Sequence, residues 1–205
     1  MVEKVMDSTE KERLRNILED RELYGDYGTR LLRMEGEKKP PSEIVVNAIP
    51  FFKEHGVKKI IDIGCGIGRH SLLFAREGFD ATAFDLSKVA LEAVEKIARE
   101  EKLGNVHTLQ GDVWKIPAQD GAFDAALSFR VLDARFYKTE DRKEAIREMA
   151  RVLKPGGDAL VVLASPKKEL DELLEMFKDA KLQVISVSLP AEIFVDFWII
   201  KAKKE

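Results

Sequence analysis

Apolar positions along the chain change their period in a regular order, and that order predicts the elements. Leu14, Ile17 and Leu18 fall at i, i+3 and i+4 within the charged residues 1–22, a thin helical stripe. Residues 24–41 (YGDYGTRLLRMEGEKKPP) mix glycines, aromatics and a Pro-Pro stop, which reads as a loop with one short helix. From Ser42 to about His55, the residues Ile44, Val45, Ala48, Ile49 and Phe52 make an apolar helical face that Pro50 kinks or divides. Short apolar runs then predict strands at 59–63, 80–84, 106–110, 123–129 and 159–163. Between them lie predicted helices. One runs from 69 to about 77, with Gly78 as a left-handed cap. The next covers 88–102, capped by Ser87 and buried along Val89, Ala93, Val94, Ile97 and Ala98. A third runs from its cap Thr139 to Leu153, with Glu140 and Asp141 in the first turn, and is stopped by Lys154-Pro155-Gly156-Gly157. Ser165-Pro166 opens a fourth, with proline at the first position. Two β-rich segments, 184–189 and 194–201, close the sequence.

Strands alternating with helices imply an α/β fold: a doubly wound, mostly parallel seven-stranded sheet between two helical layers. About four residues link the last two strands, too few for a parallel crossover, so the final strand is expected antiparallel. The expected organisation is a single domain over 42–205 with residues 1–41 as an N-terminal arm.

Composition narrows the function by exclusion. The 205 residues carry 34 Lys+Arg against 37 Asp+Glu, a formal net charge of −3, so no global basic field for nucleic acid is expected. The single cysteine, Cys65, excludes an internal disulfide framework, and the three histidines at 55, 70 and 107 lack metal-ligand spacing. No apolar run approaches a bilayer span, and the charged N-terminus has no signal-peptide core. A cytoplasmic protein is therefore expected. Abundant Glu and Lys with only three Asn and three Gln point to a thermophile. Nothing indicates an oligomeric state.

Three strand ends carry candidate chemistry. Asp62-Ile63-Gly64-Cys65-Gly66-Ile67-Gly68 joins a strand to a helix. Its glycines admit a close ligand, and the helix start offers N–H groups. The spacing is G-x-G-x-G, so the dinucleotide fingerprint G-x-G-x-x-G is not matched. Asp85 ends the second strand, where a carboxylate can accept both hydroxyls of a ribose; its alternative is helix initiation in Asp85-Leu86-Ser87. Gly111-Asp112-Val113 ends the third, where an acid and a backbone N–H can meet an adenine; its alternative is a plain turn.

Together, IIDIGCGIGRHSLLFAREGFDATAFDLS, NVHTLQGDVWKIPAQDGAFDAALSFRVL and EMARVLKPGG resemble the class I S-adenosylmethionine-dependent methyltransferases, over roughly residues 42–205. Within that family GRHSLLFAREGFDATAFDLS is similar to the small methyltransferases of tellurite resistance. The resemblance implies S-adenosyl-L-methionine as cofactor and a Rossmann-like fold. It places Gly64, Cys65 and Gly66 along the methionyl part, Asp85 and Leu86 at the ribose and adenine edge, Asp112 and Val113 at the adenine, and Ser128 and Phe129 on the sulfonium and substrate side. The fourth-strand end reads Ser128-Phe129-Arg130-Val131-Leu132-Asp133, unlike the Asn/Asp-Pro-Pro-Tyr of base and glutamine methyltransferases. One cysteine is too few for an arsenite methyltransferase, and Asp133-Ala134 stands where many relatives carry a histidine.

The expected activity is in-line methyl transfer to a small-molecule acceptor. A nucleotide-binding scaffold and an NAD-dependent oxidoreductase are the alternatives. Asp133 is the candidate base, useful only for an O–H or N–H acceptor. Arg130 is a candidate for the acceptor side. Tyr24, Tyr27, Arg30 and Arg33 make residues 1–41 a candidate lid, with glycine hinges at 25, 28 and 36. Cys65 is expected to fill the turn, Trp114 to flank the base or to pack in the core or at its rim, and Phe194, Val195, Phe197 and Trp198 to form the last strand. His70 is expected either to face the cofactor or to lie exposed on its helix.

Overall fold

The computed structural model describes residues 40–133, 138–188 and 197–205. The predicted stripe at 14–18 and the lid candidates Tyr24, Tyr27, Arg30 and Arg33 lie outside these residues. Two short helices, α1 (Glu43–Val46) and α2 (Ile49–Glu54), lead into the domain, with Pro50 in the first turn of α2, where a missing N–H costs nothing. The elements then run β1 (Lys59–Ile63), α3 (Arg69–Arg76), β2 (Asp80–Asp85), α4 (Lys88–Glu100), β3 (Val106–Gln110), β4 (Phe123–Phe129), α5 (Thr139–Val152) and β5 (Leu153–Ala164). A 3-10 turn at Lys167–Glu169, α6 (Leu170–Asp179), β6 (Leu182–Ser188) and β7 (Phe197–Lys204) complete the fold.

The sheet has the order β3-β2-β1-β4-β5-β7-β6. Every pairing from β3 to β5 is parallel, and β7 runs antiparallel between β5 and β6. The expected antiparallel closing strand is therefore present, inserted beside β5. Strand order reverses between β1 and β4, the switch point at whose carboxyl edge open α/β sheets bind ligands.

Period-two alternation in β1 sends Ile60 and Ile61 to opposite faces, and both are fully buried. On one face Ile60, Ala125, Leu127 and Leu160 pack against Val45, Phe52, Phe74 and Phe79. On the other, Ile61, Ile63, Ala126 and Val161 meet Ile146 and Met149 of α5 and Leu173 and Phe177 of α6. Gly78 takes φ +91° just after α3, and Ser87 Oγ accepts the Ala90 N–H at the start of α4, both as expected.

Four local expectations are corrected. The buried face of α4 is Ala90, Leu91, Val94 and Ala98, while Val89 is 43% exposed. The stripe is rotated so that Leu91, Val94 and Ala98 pack with Ala83 of β2 and Leu72 of α3. Thr139 is the first helical residue of α5, and Lys138 stands at the cap without a side-chain cap bond. The run 154–157 does not follow a free helix end; it sits inside β5 as a bulge, since Phe123 pairs with Leu153 and Ala125 with Asp158. Pro166 precedes the 3-10 turn rather than opening the helix itself.

The amino edge of the sheet is tied by Asp124. Its Oδ2 accepts the N–H groups of Lys58 at 3.0 Å and Lys59 at 2.8 Å, and its Oδ1 meets the Lys154 ammonium at 2.6 Å. Burial works to raise this carboxyl's pKa, and Lys154 with the two N–H groups outweighs it, holding it below the ordinary carboxylate value. A depressed folded-state pKa gives stability that is present above the unfolded value and lost as pH falls through the folded one. Asp124→Ala should therefore cost about 1–2 kcal/mol at neutral pH. In urea titrations the gap to wild type should stay constant above the ordinary Asp pKa and close below it; a gap independent of pH would refute the clamp.

Candidate functional site

Three strand ends meet at the carboxyl edge, bound through the backbone. The N–H groups of Gly64 and Cys65 donate to Phe84 O at 2.8 and 3.0 Å, joining the glycine turn to β2. Gly111 N–H donates to Asp85 O at 3.2 Å, joining β3 to β2. The carboxylate of Asp85 completes the junction: Oδ2 accepts the Gly66 N–H at 2.8 Å and Oδ1 the Ser87 N–H at 2.9 Å. Burial raises the Asp85 pKa, opposed by these N–H bonds. Gln110 Nε2 donates to Leu86 O at 3.1 Å, fixing the chain just beyond Asp85.

The turn itself is possible only with glycine at its first position. Gly64 takes φ +69°, and a Cβ there would overlap the Val131 side chain, so the segment after β4 closes directly onto the turn. Cys65 is buried, and its Sγ donates to Gly66 O at 3.3 Å. Burial first, then the charges of Asp62 and Asp85, push its thiol well above the ordinary value, which suits a filler and not a nucleophile.

Asp112 Oδ1 accepts the Trp114 N–H at 3.2 Å, and the Trp114 indole N–H donates to Asp141 O of α5 at 3.2 Å. Trp114 is thus a rim residue, as expected, and Val113 turns its side chain into the core. Ser128 is buried at the end of β4, and its Oγ has no hydrogen-bond partner. Phe129 is half-buried beside two residues of α3: the Arg69 guanidinium lies 5.1 Å from its ring centroid and the His70 ring 4.8 Å from it.

Asp133 is fully buried, with Oδ2 at 2.7 Å from Arg130 Nε and Oδ1 accepting the Ala164 N–H at 2.6 Å. Arg130 stands at φ +66° and donates its N–H to Val162 O at 2.7 Å. Both carboxylate oxygens thus hold the segment after β4 against the end of β5, a positioning role rather than that of a base in the cleft.

Two features escaped the sequence. Asp62 is 2% exposed, and its Oδ2 accepts the Ser71 hydroxyl at 2.7 Å. The signal was available: a charged residue inside a strand otherwise buried from Ile60 to Ile63. His70 is neither exposed nor charged. It is buried, its Nε2 accepts the Ser42 N–H at 3.2 Å, and burial with the neighbouring Arg69 charge lowers its pKa to about 3.

The donor set suits a cationic ligand with a diol better than a pyrophosphate. The Gly66 N–H, which a phosphate would need, is already given to Asp85, and Asp62 and Asp85 flank the turn with acids. The orphaned Ser128 Oγ leaves one further buried polar group to be satisfied by a ligand. Among the described residues no group of three or more metal-ligating side chains occurs, and no helix is long and apolar enough to cross a membrane. A wide hollow of about 550 Å³ lies at the opposite edge of the sheet, lined by residues including Arg147, Arg151 and Lys204, remote from these strand ends.

Comparison with known proteins agrees with this geometry. The family model described as "Methyltransferase domain" matches residues 60–157. A glycine/sarcosine N-methyltransferase of Parasynechococcus marenigrum is 33% identical over 75% of the chain and 52% of its own length. An EEF1A lysine methyltransferase 2 of Danio rerio is 34% identical over 58% of the chain and 52% of its own length. The chain therefore spans about half the length of these relatives. Among solved structures, a SAM-dependent methyltransferase from Aquifex aeolicus shares the fold with a TM-score of 0.65, 18% identity, and coverage of 86% of this chain and 97% of its own.

The buried Asp62 gives a pH signature. Burial raises its pKa to about 6, opposed by Ser71. A raised folded-state pKa means that stability falls as pH climbs from the unfolded value to about 6 and is level above it. Asp62→Asn removes this titration. Its stability relative to wild type should rise by on the order of 3 kcal/mol between pH 4 and 6.5. Denaturation curves giving a pH-independent difference would show that Asp62 is ionised without penalty.

Proposed function

We propose that the chain, whose residues 60–157 match a methyltransferase domain, is a class I S-adenosylmethionine-dependent methyltransferase and transfers the methyl group of that cofactor to a small-molecule acceptor. The observation that carries this reading is the Asp85 carboxylate bound to Gly66 N–H, which unites the glycine turn and the end of β2 into one cradle beside acids. In this reading Asp85 takes the ribose hydroxyls through its remaining lone pairs, with Leu86 along the adenine. Asp112 and the Val113 N–H meet the adenine edge, Gly64, Cys65 and Gly66 border the methionyl part, and Ser128 and Phe129 border the sulfonium and acceptor.

The sulfonium supplies an already activated methyl, so the chain's task is alignment and exclusion of water. Holding two reactants in an attack geometry can supply roughly 7–11 kcal/mol of the barrier. Arg130 and Asp133 serve it by fixing the segment after β4, whose Val131 packs on Gly64. The acceptor is not transferred from the relatives, whose names span an amino acid and a protein lysine. The reading extends to a cytoplasmic enzyme of a thermophile, on composition alone.

Residues 1–41 are proposed as a lid. Support comes from their point of attachment: Ser42 N–H donates to His70, and Arg69 Nη1 lies 3.5 Å from Pro40 O, beside Phe129. Limited proteolysis should cut near residues 36–39 in the free protein and more slowly with S-adenosylhomocysteine. Equal rates would remove the lid from the proposal.

Calorimetry with S-adenosylhomocysteine and with NAD tests the central reading. Only the former should bind, and Asp85→Ala should weaken it at least about tenfold, because hydrogen bonds to a charged group contribute about 1.5–3 kcal/mol each. NAD binding, or an Asp85→Ala variant of undiminished affinity, would overturn it.

A further inference from the structure

The arginines of the chain sort by their partners. Arg76, Arg99, Arg130, Arg142, Arg147 and Arg151 each pair with a carboxylate. Among the described residues Arg69 is the one arginine that does not. Asp62 feels the Arg69 charge, but its Oδ2 takes the Ser71 hydroxyl and no ion pair forms between them. His70 beside it is neutral at physiological pH, with its pKa lowered to about 3 by burial. Arg69 therefore brings a permanent positive charge, half-buried, to the carboxyl edge of the sheet.

That charge is also oriented. The guanidinium lies over the Phe129 ring, 5.1 Å from its centroid, and Pro40 O stands 3.5 Å from Nη1. An aromatic face beneath the guanidinium restrains it, and a guanidinium fork recognises a planar anion through two parallel bonds. Phe129 ends β4, on the side of the switch point away from Asp85 and β2. The stacked pair thus faces the acceptor half of the crevice.

We propose that Arg69 is a specificity-determining residue that binds a carboxylate on the methyl acceptor, so that the acceptor class is an organic acid. This rests on the methyl-transfer reading and adds its substrate class. The Phe129 face contributes by holding the guanidinium and by covering the apolar carbon next to the bound carboxylate.

The test uses the full chain saturated with S-adenosylhomocysteine. Hexanoate, glycine and 4-hydroxybenzoate are titrated calorimetrically, each against its primary amide, into wild type, Arg69→Gln and Arg69→Lys. At least one acid should bind wild type about tenfold or more tightly than its amide. Arg69→Gln should abolish that preference and Arg69→Lys should keep part of it. Affinity for S-adenosylhomocysteine should change less than about twofold in both variants, which also shows that they fold. A wild-type complex with no preference for acids, or a preference that survives in Arg69→Gln, overturns the proposal. Affinity for S-adenosylhomocysteine that collapses in Arg69→Gln assigns Arg69 to the cofactor's own carboxylate and overturns the acceptor assignment alone. A wild-type protein that binds no S-adenosylhomocysteine overturns the methyl-transfer reading beneath it.

Discussion

The site depends on one carboxylate that bonds across two turns. Asp85 accepts from Gly66 on the β1–α3 turn and from Ser87 at the start of α4, and its backbone oxygen accepts from Gly111 at the end of β3. Three connections that are far apart in sequence are thereby held in one register. A parallel sheet delivers strand ends to a common edge, but their loops have no reason of their own to stay together. In the proposed function, the side chain that sets the loops in place also offers its remaining lone pairs to the ligand. Pre-organisation and recognition are the work of the same group, so a ligand bound there meets a surface that is already ordered.

The segment after β4 is held by a different device. Arg130 adopts a left-handed conformation that costs a non-glycine residue roughly 1–3 kcal/mol. It persists because its N–H reaches Val162 and its guanidinium meets the buried Asp133, which also accepts from Ala164. Val131, next in sequence, is thereby pressed onto Gly64, where a larger residue would not fit. The segment after β4 thus packs directly on the glycine turn.

The architecture was legible in the sequence because parallel sheets and amphipathic helices impose periods that a single chain displays. The strands at 59–63, 106–110 and 123–129 stand as expected, and the last strand is antiparallel as expected, although eight residues (189–196, outside the described ones and including Phe194 and Val195) rather than four lie between β6 and β7. The errors arose where the deciding contact was not periodic. Ala90 replaced Val89 in the core because the direction of a helix face depends on what covers it, and Thr139 did not cap because no side-chain bond forms there. At the site, glycines and strand-end acids were readable from spacing. The burial of Asp62, the neutral His70 and the clamp of Asp133 were not, since each depends on a partner 9 to 31 positions away or on desolvation. Residue type suggested a base at 133; only the geometry shows its two oxygens already engaged.

Polar groups are distributed unevenly between the two edges of the sheet. At the amino edge they are mostly closed: Asp124 holds three partners, and Arg151 spans Glu148, Asp120 and two backbone oxygens. Asp158 departs from that rule, since His55 satisfies its Oδ2 and leaves Oδ1 alone. The carboxyl edge carries the opposite character. There stand Asp62 with its raised pKa, Ser128 with an orphaned hydroxyl, Arg142 with an unpartnered Nε, and Arg130 in a strained conformation. Each costs stability where it is, at about 1–3 kcal/mol for a buried group left unsatisfied. Buried atoms without a hydrogen bond thus occur at both edges, and what the carboxyl edge adds is the buried Asp62 with its raised pKa and the left-handed Arg130. The hollow of about 550 Å³ at the amino edge is accordingly no part of the proposed site. Its lining charges Arg147, Arg151 and Asp179 already pair with nearby side chains, whereas Ser128 Oγ, next to Phe129 in β4, has no partner.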